Sequence, residues 1–237
     1  MAKTKRKPKA QKTTPPRERY HGPLIINGVN LGYLSLCSWL NFFFSLFMVV
    51  FGIYNDKIGF FKLLFCACIL VNIFSILLSW LKKLIYHFQI FTYSLIAVNL
   101  VILVLNLDTM GLLLFIGSGT THPKIYSLLS AVYTFSILLL FFIFCSLYAW
   151  YYLPKNQGKI WQFNHRETKD KKSEFAYNFW ITFGAVLFVP ALLTGYLQNI
   201  FGYFLGLLFT ATLPAVIVDA VYAAIYIRKY PEEKEQV

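Results

Sequence analysis

Six apolar runs, each long enough for a helix to cross a lipid bilayer, decide what this chain folds into. They cover residues 31–54, 63–81, 88–105, 127–150, 175–197 and 203–227. A bilayer core about 30 Å thick requires ~20 apolar residues per helical crossing. Only 14% of the residues are charged, against roughly 25% in soluble domains. We therefore predict an all-α, polytopic integral membrane protein with six transmembrane helices.

Polar stretches set the boundaries around these helices. Residues 1–30 hold eight Lys and Arg against one acid, Glu18, and this composition predicts a disordered basic arm. The remaining predicted segments are transmembrane helices 1–4 in residues 31–153, a basic loop in 154–174, helices 5–6 in 175–228, and a tail in 229–237.

The distribution of Lys and Arg predicts the orientation of the helices. With six crossings, nineteen basic residues fall on the side of the N-terminus, and three, Lys57, Lys62 and Lys124, fall on the other side. Because cytoplasmic loops carry the excess of basic residues, we expect both termini, the arm and the 154–174 loop to be cytoplasmic.

The basic residues of the 154–174 loop are expected to contact anionic lipid headgroups, at about 1 kcal/mol each. Trp161, Phe163 and His165 lie among them and raise nucleic-acid binding as an alternative, because aromatic side chains stack on bases. The topology already accounts for the charges, so no nucleic-acid partner is predicted. The basic residues of the loop are Lys155, Lys159, Arg166, Lys169, Lys171 and Lys172.

Asp219 is the acidic residue singled out in the last apolar run. It precedes Arg228 by nine residues, which places it ~13 Å from the cytoplasmic edge of a helix. A charge at this depth costs at least about 2.5 kcal/mol, so the side chain is expected to face the bundle interior or a water-filled cavity. Asp219 is therefore a candidate proton or cation site. The alternative is a protonated Asp219 that hydrogen-bonds to a neighbouring helix.

Three asparagines, Asn41, Asn72 and Asn99, fall near the middle of the first three predicted crossings. Together with Asp219 they predict one polar layer that serves as an ion, proton or substrate site. The alternative is that they hold helices together, because hydrogen bonds between membrane helices average only about 0.6 kcal/mol.

Prolines and glycines indicate bends and close contacts in the last two crossings. Pro190 and Pro214 predict helix bends, since proline removes a backbone donor; Pro214 frees the carbonyl of Thr210. Gly202 and Gly206 match a Gly-x-x-x-Gly packing motif. They lie on a different face from Asp219, and the motif indicates contact with crossing five or with a second copy of the chain.

One stretch, residues 110–116, has two readings. It follows the polar break at Asn106 and Asp108, where the third crossing is expected to end. The apolar residues after the break either extend that helix by two turns or lie in the membrane interface.

No pattern in the sequence predicts catalysis, a metal site or a cofactor. The four histidines are scattered and the four cysteines lie in apolar runs. The leading hypothesis is a small transporter-like or permease-like protein, with a homo-oligomer or membrane-protein partner as an open alternative for its assembly. The rival is a non-transport accessory, assembly or immunity-type membrane protein, and a membrane-embedded enzyme comes third. An absence of Asn-x-Ser/Thr sequons and a composition rich in Phe, Ile, Tyr, Asn and Lys favour a bacterial cell membrane.

Overall fold

Six α-helices make up nearly all of the chain that the computed structural model describes, which is residues 24, 31–50, 59–117, 125–153, 156 and 197–231. No strand occurs among these residues, so the prediction of an all-helical chain is confirmed for them. The helices are α1 (Leu31–Val50), α2 (Gly59–Trp80), α3 (Lys82–His87), α4 (Gln89–Gly117), α5 (Leu128–Tyr151) and α6 (Gln198–Lys229).

Five of these helices overlap a predicted crossing, and α3 is a short addition between α2 and α4. By length and composition, α2, α4, α5 and α6 are each apolar enough to cross a membrane, and α1 contributes a shorter apolar helix, Leu34–Val50. Several predictions lie outside the described residues: the arm apart from Leu24, crossing five with Pro190, and the basic loop with Lys155, Lys159, Arg166, Lys169, Lys171 and Lys172.

The stretch 110–116 extends the third crossing. Helix α4 runs without interruption for 29 residues, from Gln89 to Gly117, and carries Asn106 and Asp108 within it. These two polar residues therefore do not end the helix. Asp219 is therefore not the only carboxylate within a long apolar helix, because Asp108 lies well inside α4.

Helices α4 and α6 form the most extensive contact among the described elements and run antiparallel. Gly111 of α4 lies beside Gly202 and Gly206 near the start of α6. Further along the pair, Thr210 of α6 hydrogen-bonds to Asp108 of α4. We call the end of the bundle at Gly111 and Gly202 the glycine end, and the end at Arg228 and Lys229 the basic end.

Helix α5 runs parallel to α6. Tyr133, near the start of α5, contacts Gly206, whereas Tyr152, just after α5 ends, hydrogen-bonds to Asp219 near the end of α6. The opposite side of α5 carries large exposed apolar side chains, including Leu128 at 83% and Phe135 at 69% exposed. Leu153 and Leu197 consequently lie at opposite ends of the bundle.

Helix α1 packs against α2 and against the side of α4 that is turned away from α6. Its buried face carries Ser38, Asn41, Ser45 and Met48, which recur every three or four residues and so share one side of a helix. The bundle therefore has α4 at its centre, with α1 and α2 on one side and α5 and α6 on the other.

Candidate functional site

Asp219 is buried in the bundle, at 3% exposure. Its Oδ1 accepts a hydrogen bond of 2.8 Å from the hydroxyl of Tyr152. Its Oδ2 accepts a hydrogen bond of 3.2 Å from the backbone N–H of Leu24. The carboxylate thus joins α6 to the end of α5 and to the segment that precedes α1.

Leu24 is held from both sides of its backbone. Its N–H donates to Asp219, and its carbonyl accepts a hydrogen bond of 3.1 Å from the hydroxyl of Tyr93 on α4. Its side chain is buried in the main hydrophobic cluster. Asp219 and Tyr93 together therefore fix this point of the N-terminal segment against α4 and α6.

Tyr152, which donates to Asp219, is itself packed against Tyr222 of α6. The ring of Tyr152 stacks on Tyr222, with 5.0 Å between ring centroids, and the Tyr222 hydroxyl donates to the carbonyl of Ala149 at 3.4 Å. The Tyr152 hydroxyl thus points inward to the carboxylate of Asp219.

A second acid, Asp108, lies on the same α4–α6 interface, closer to the glycine end. The hydroxyl of Thr210 donates to its two carboxylate oxygens at 3.1 and 3.3 Å. The backbone carbonyl of Asp108 accepts a hydrogen bond of 3.1 Å from Tyr133. Thr210 is fully buried, so this carboxylate has a neutral hydroxyl partner in the interior of the bundle.

Polar backbone groups of α6 lie between Thr210, the partner of Asp108, and Asp219. Pro214 lies inside this helix between Thr210 and Asp219, and its lack of an N–H removes the bond that the Thr210 carbonyl would otherwise accept. The next carbonyl, that of Ala211, accepts a hydrogen bond of 2.9 Å from Tyr148 of α5. We call this set, Asp108, Thr210, Tyr148, Tyr152 and Asp219, the acidic seam.

The asparagines form a separate network between α1, α2 and α4. The Nδ2 of Asn41 donates to the backbone carbonyl of Asn99 at 2.7 Å, and the Nδ2 of Asn99 donates to the Ser75 hydroxyl at 2.9 Å. Asn106 donates to Oδ1 of Asn41 at 3.5 Å and accepts from Ser45 at 3.2 Å. We call these residues, together with Asn72, the asparagine network.

Helix α4 separates the asparagine network from the acidic seam. Asn99 and Asp108 are nine residues apart on α4, which at ~100° per residue puts them on opposite sides of the helix. Tyr93, which reaches Asp219 through Leu24, is ~120° from Asn99 by the same geometry. The structure therefore brings Asn41 and Asn99 together, with Asn72 on the same side of α4, and holds Asp219 in a different set of hydrogen bonds.

Gly202 and Gly206 lie where α6 approaches its neighbours. A Cβ on Gly202 would come 2.5 Å from the backbone nitrogen of Phe115 and 2.6 Å from the carbonyl oxygen of Gly111. A Cβ on Gly206 would overlap the hydroxyl of Tyr133. The described partners of this motif are thus α4 and α5. The predicted contact with crossing five lies outside the described residues, and contact with a second copy stays a prediction.

Asp108, Asn106, Tyr93, Tyr148 and Tyr152 are the site residues that the sequence reading missed. Asn106 is seven residues from Asn99, a spacing that puts both on one helix face, and Tyr148 and Tyr152 are four apart on another. For a continuous α4, these spacings predict from the sequence that the residues of each pair share a helix face. The described residues hold no group of His, Cys, Asp or Glu that is arranged to bind a metal ion.

No protein-family model, curated protein or solved structure matches this chain.

Proposed function

We propose that this chain is an integral membrane protein with six crossings and both termini on the cytoplasmic side, in a bacterial cell membrane. The parallel course of α5 and α6 supports this topology, because two parallel crossings must be joined by an odd number of crossings. The apolar run 175–197 has the length of one crossing. The antiparallel α4–α6 pair fits the third and sixth of six crossings in the same way.

The charges of the described residues agree with this orientation. Lys83, Arg228 and Lys229 are exposed at the basic end. Lys62 is exposed at the start of α2, where Phe61 contacts the ring of Tyr126 just before α5, and so lies towards the glycine end. An excess of basic residues marks the cytoplasmic side. In this arrangement the basic loop 154–174 also faces the cytoplasm and contacts anionic headgroups.

We further propose that the protein moves a proton or a monovalent cation across the membrane, with Asp219 and Asp108 as the binding groups. The observation that supports this role is the acidic seam, in which one buried carboxylate, Asp219, and one partly buried carboxylate, Asp108, lie at different depths on one helix interface. Asp108 bonds to Thr210, and Thr210 is nine residues from Asp219. The two acids are therefore ~13 Å apart along the helix axis.

The free-energy cost of an ionised group inside the bilayer explains why the pair of carboxylates, Asp108 and Asp219, suits ion coupling. An ionised carboxylate within the bilayer costs at least about 2.5 kcal/mol, and acids that persist there mark ion and proton pathways. Uptake of a proton or a cation neutralises the carboxylate and removes much of that cost. Asp219 exchanges ions from the basic end and Asp108 from the glycine end, with the released Thr210 carbonyl and the Tyr148 hydroxyl between them.

A non-transport membrane protein is the second candidate. The observation that favours it is that Asp219 ties three segments together, through Leu24 and Tyr152. In this case the carboxylate stabilises the fold that recognises a membrane-protein partner. The two functions differ in the effect of Asp219→Asn, because an amide retains an acceptor for one of the hydrogen bonds and abolishes ion exchange.

Ion flux in proteoliposomes tests the proposal. A potassium gradient with valinomycin drives protons inward, an enclosed pH-sensitive dye reports their entry, and uptake of radioactive sodium is measured in parallel. We expect flux above that of protein-free vesicles by at least one of these measures. Asp219→Asn and Asp108→Asn are expected to lower it to the level of protein-free vesicles while the variants remain folded and inserted.

Two threonines on α6 supply a matched control. Thr210 is buried and donates to Asp108, whereas Thr212 is exposed and donates to the carbonyl of Leu208 in its own helix. A hydrogen bond to a charged group is worth ~1.5–3 kcal/mol, so Thr210→Val is expected to lower flux roughly ten-fold. Thr212→Val is expected to leave it unchanged. Wild-type vesicles that carry no flux, or equal effects of the two threonine variants, would refute the role of the seam.

A further inference from the structure

Each oxygen of the Asp219 carboxylate accepts a hydrogen bond from a group that points a hydrogen at it. The hydroxyl of Tyr152 donates to Oδ1 at 2.8 Å, and the backbone N–H of Leu24 donates to Oδ2 at 3.2 Å. A backbone N–H has no lone pair to offer, so it acts only as a donor. The surroundings of this carboxylate therefore include a group that a metal cation cannot use as a ligand.

Leu24 is held in place, so its N–H stays directed at Asp219. The carbonyl of the same residue accepts a hydrogen bond of 3.1 Å from Tyr93, and its side chain is buried in the main hydrophobic cluster. A displacement of Leu24 that freed Oδ2 would have to break the bond to Tyr93 or expose the leucine side chain. A cation that approaches Oδ2 consequently meets the positive end of a fixed N–H dipole.

We infer that the ion exchanged at Asp219 is a proton, and that the Leu24 N–H and the Tyr152 hydroxyl exclude alkali cations from this carboxylate. The inference rests on the ion movement proposed above and names its substrate. An incoming proton forms an O–H bond with Oδ1. Because a hydroxyl both donates and accepts, the Tyr152 oxygen then accepts from this new O–H, while Oδ2 keeps the N–H of Leu24. Release of the proton reverses both changes.

Asp108 does not make the same distinction between ions. Its carboxylate accepts from the hydroxyl of Thr210 at 3.1 and 3.3 Å, and a hydroxyl can rotate to present its lone pairs to a cation. Pro214 also releases the backbone carbonyl of Thr210, and freed carbonyls in broken membrane helices coordinate sodium ions in transporters. An ion that passes both acids is therefore selected at Asp219.

Asp219 is the group whose charge changes with pH in this part of the seam. The titratable side chains that the described helices bring to it are the hydroxyls of Tyr152 after α5, Tyr222 on α6 and Tyr93 on α4. Phenol hydroxyls are uncharged near neutral pH. The charged residues Arg228 and Lys229 follow nine and ten residues later on α6 and are exposed at the basic end. Proton uptake near neutral pH is thus assigned to the carboxylate.

Two flux measurements on wild-type proteoliposomes test the inference. A potassium gradient with valinomycin drives proton entry, which is recorded in sodium chloride and in choline chloride, and uptake of radioactive sodium is measured on the same vesicles. We expect equal proton entry in the two salts and sodium uptake at the level of protein-free vesicles. Sodium uptake above that level, or proton entry that falls in sodium chloride, would overturn the inference and leave ion movement standing. The absence of both fluxes would refute the proposed function, and the inference with it.

The pH profile of proton entry tests the part played by Tyr152. Loss of a donor to a charged carboxylate favours its protonated form, so Tyr152→Phe is expected to move the profile to higher pH by about one unit. Tyr222→Phe is the matched control, because it removes a hydroxyl from the ring stacked on Tyr152, where that hydroxyl donates to the carbonyl of Ala149 at 3.4 Å. It is expected to leave the profile in place.

A merely structural role of Tyr152 would lower the amplitude of proton entry without moving its pH profile. That result, or equal shifts in Tyr152→Phe and Tyr222→Phe, would overturn the role of the Tyr152 hydroxyl. If Tyr152→Phe does not insert into the vesicles, the comparison of sodium and choline on the wild-type protein decides by itself.

Discussion

Replacement of Gly202 by alanine probes the closest approach between α4 and α6. The added Cβ would meet the backbone nitrogen of Phe115 at 2.5 Å, the carbonyl oxygen of Gly111 at 2.6 Å and the Cβ of Leu114 at 2.9 Å. Two of these obstacles are backbone atoms of α4, which no side-chain rotation can move. Helices α4 and α6 must therefore move apart along the interface that contains the acidic seam.

The expected loss of stability follows from two opposed terms. Overpacking of a well-packed interior costs ~1–3 kcal/mol, and rigid backbone obstacles place this substitution at the upper end. Alanine regains ~1 kcal/mol over glycine in helix propensity. The net loss is about 2 kcal/mol, which corresponds to a fall of ~4–8 °C in the unfolding midpoint of a chain of this size.

Gly117→Ala is the matched control for this substitution. At the end of α4, an added Cβ would lie 3.7 Å from Nε2 of Gln198, an ordinary van der Waals contact. Both variants are purified in the same detergent, and unfolding is followed by circular dichroism and by the reactivity of the buried Cys68. Gly117→Ala is expected to remain near the wild-type midpoint. A Gly202→Ala variant that unfolds at the wild-type temperature would refute the helix contact.

Two further predictions address the carboxylate and the topology. Tyr152→Phe removes the 2.8 Å hydrogen bond to Asp219 but keeps the stack on Tyr222, and we expect the free energy of unfolding to fall by ~1.5–3 kcal/mol. Tyr222→Phe, which gives up a 3.4 Å bond, is expected to lower it less. Equal shifts in the unfolding midpoints of the two variants would contradict this ranking. In a background without native cysteines, Thr121→Cys is expected to react with a membrane-impermeant maleimide in intact cells and Lys83→Cys only after lysis; the reverse pattern would overturn the orientation.

The helices were largely predictable because apolar runs of membrane length leave few alternatives. Residues 127–150 were expected and Leu128–Tyr151 is observed; residues 203–227 were expected and Gln198–Lys229 is observed. The sequence left the end of α4 open between an extended helix and an interfacial stretch, because Asn106 and Asp108 look like a polar break, and the structure shows the extended helix. Inside the bundle both side chains find partners, Ser45 and Asn41 for Asn106 and Thr210 for Asp108, so the helix continues through them.

The asparagines were recognisable one at a time, whereas their grouping was not. Their positions near the middle of separate crossings follow from residue numbers alone. The side of α4 on which each asparagine lies depends on how each helix is rotated about its axis. Nearly uniform apolar sequences contain little information about this rotation. For this reason the sequence merged Asp219 with Asn41, Asn72 and Asn99, although α4 lies between Asn99 and the acidic seam.

What the sequence by itself determined is the all-helical class of the described residues, their long apolar helices and the positions of polar residues along them, because apolar length and the spacing of charges are properties of the linear order. The tertiary structure decided which residues meet: Asp108 with Thr210, Asp219 with Tyr152 and Leu24, and Gly202 with Gly111. It also decided that α5 and α6 run parallel. These contacts join positions up to 195 residues apart, and only the packing of whole helices brings such positions within hydrogen-bond distance.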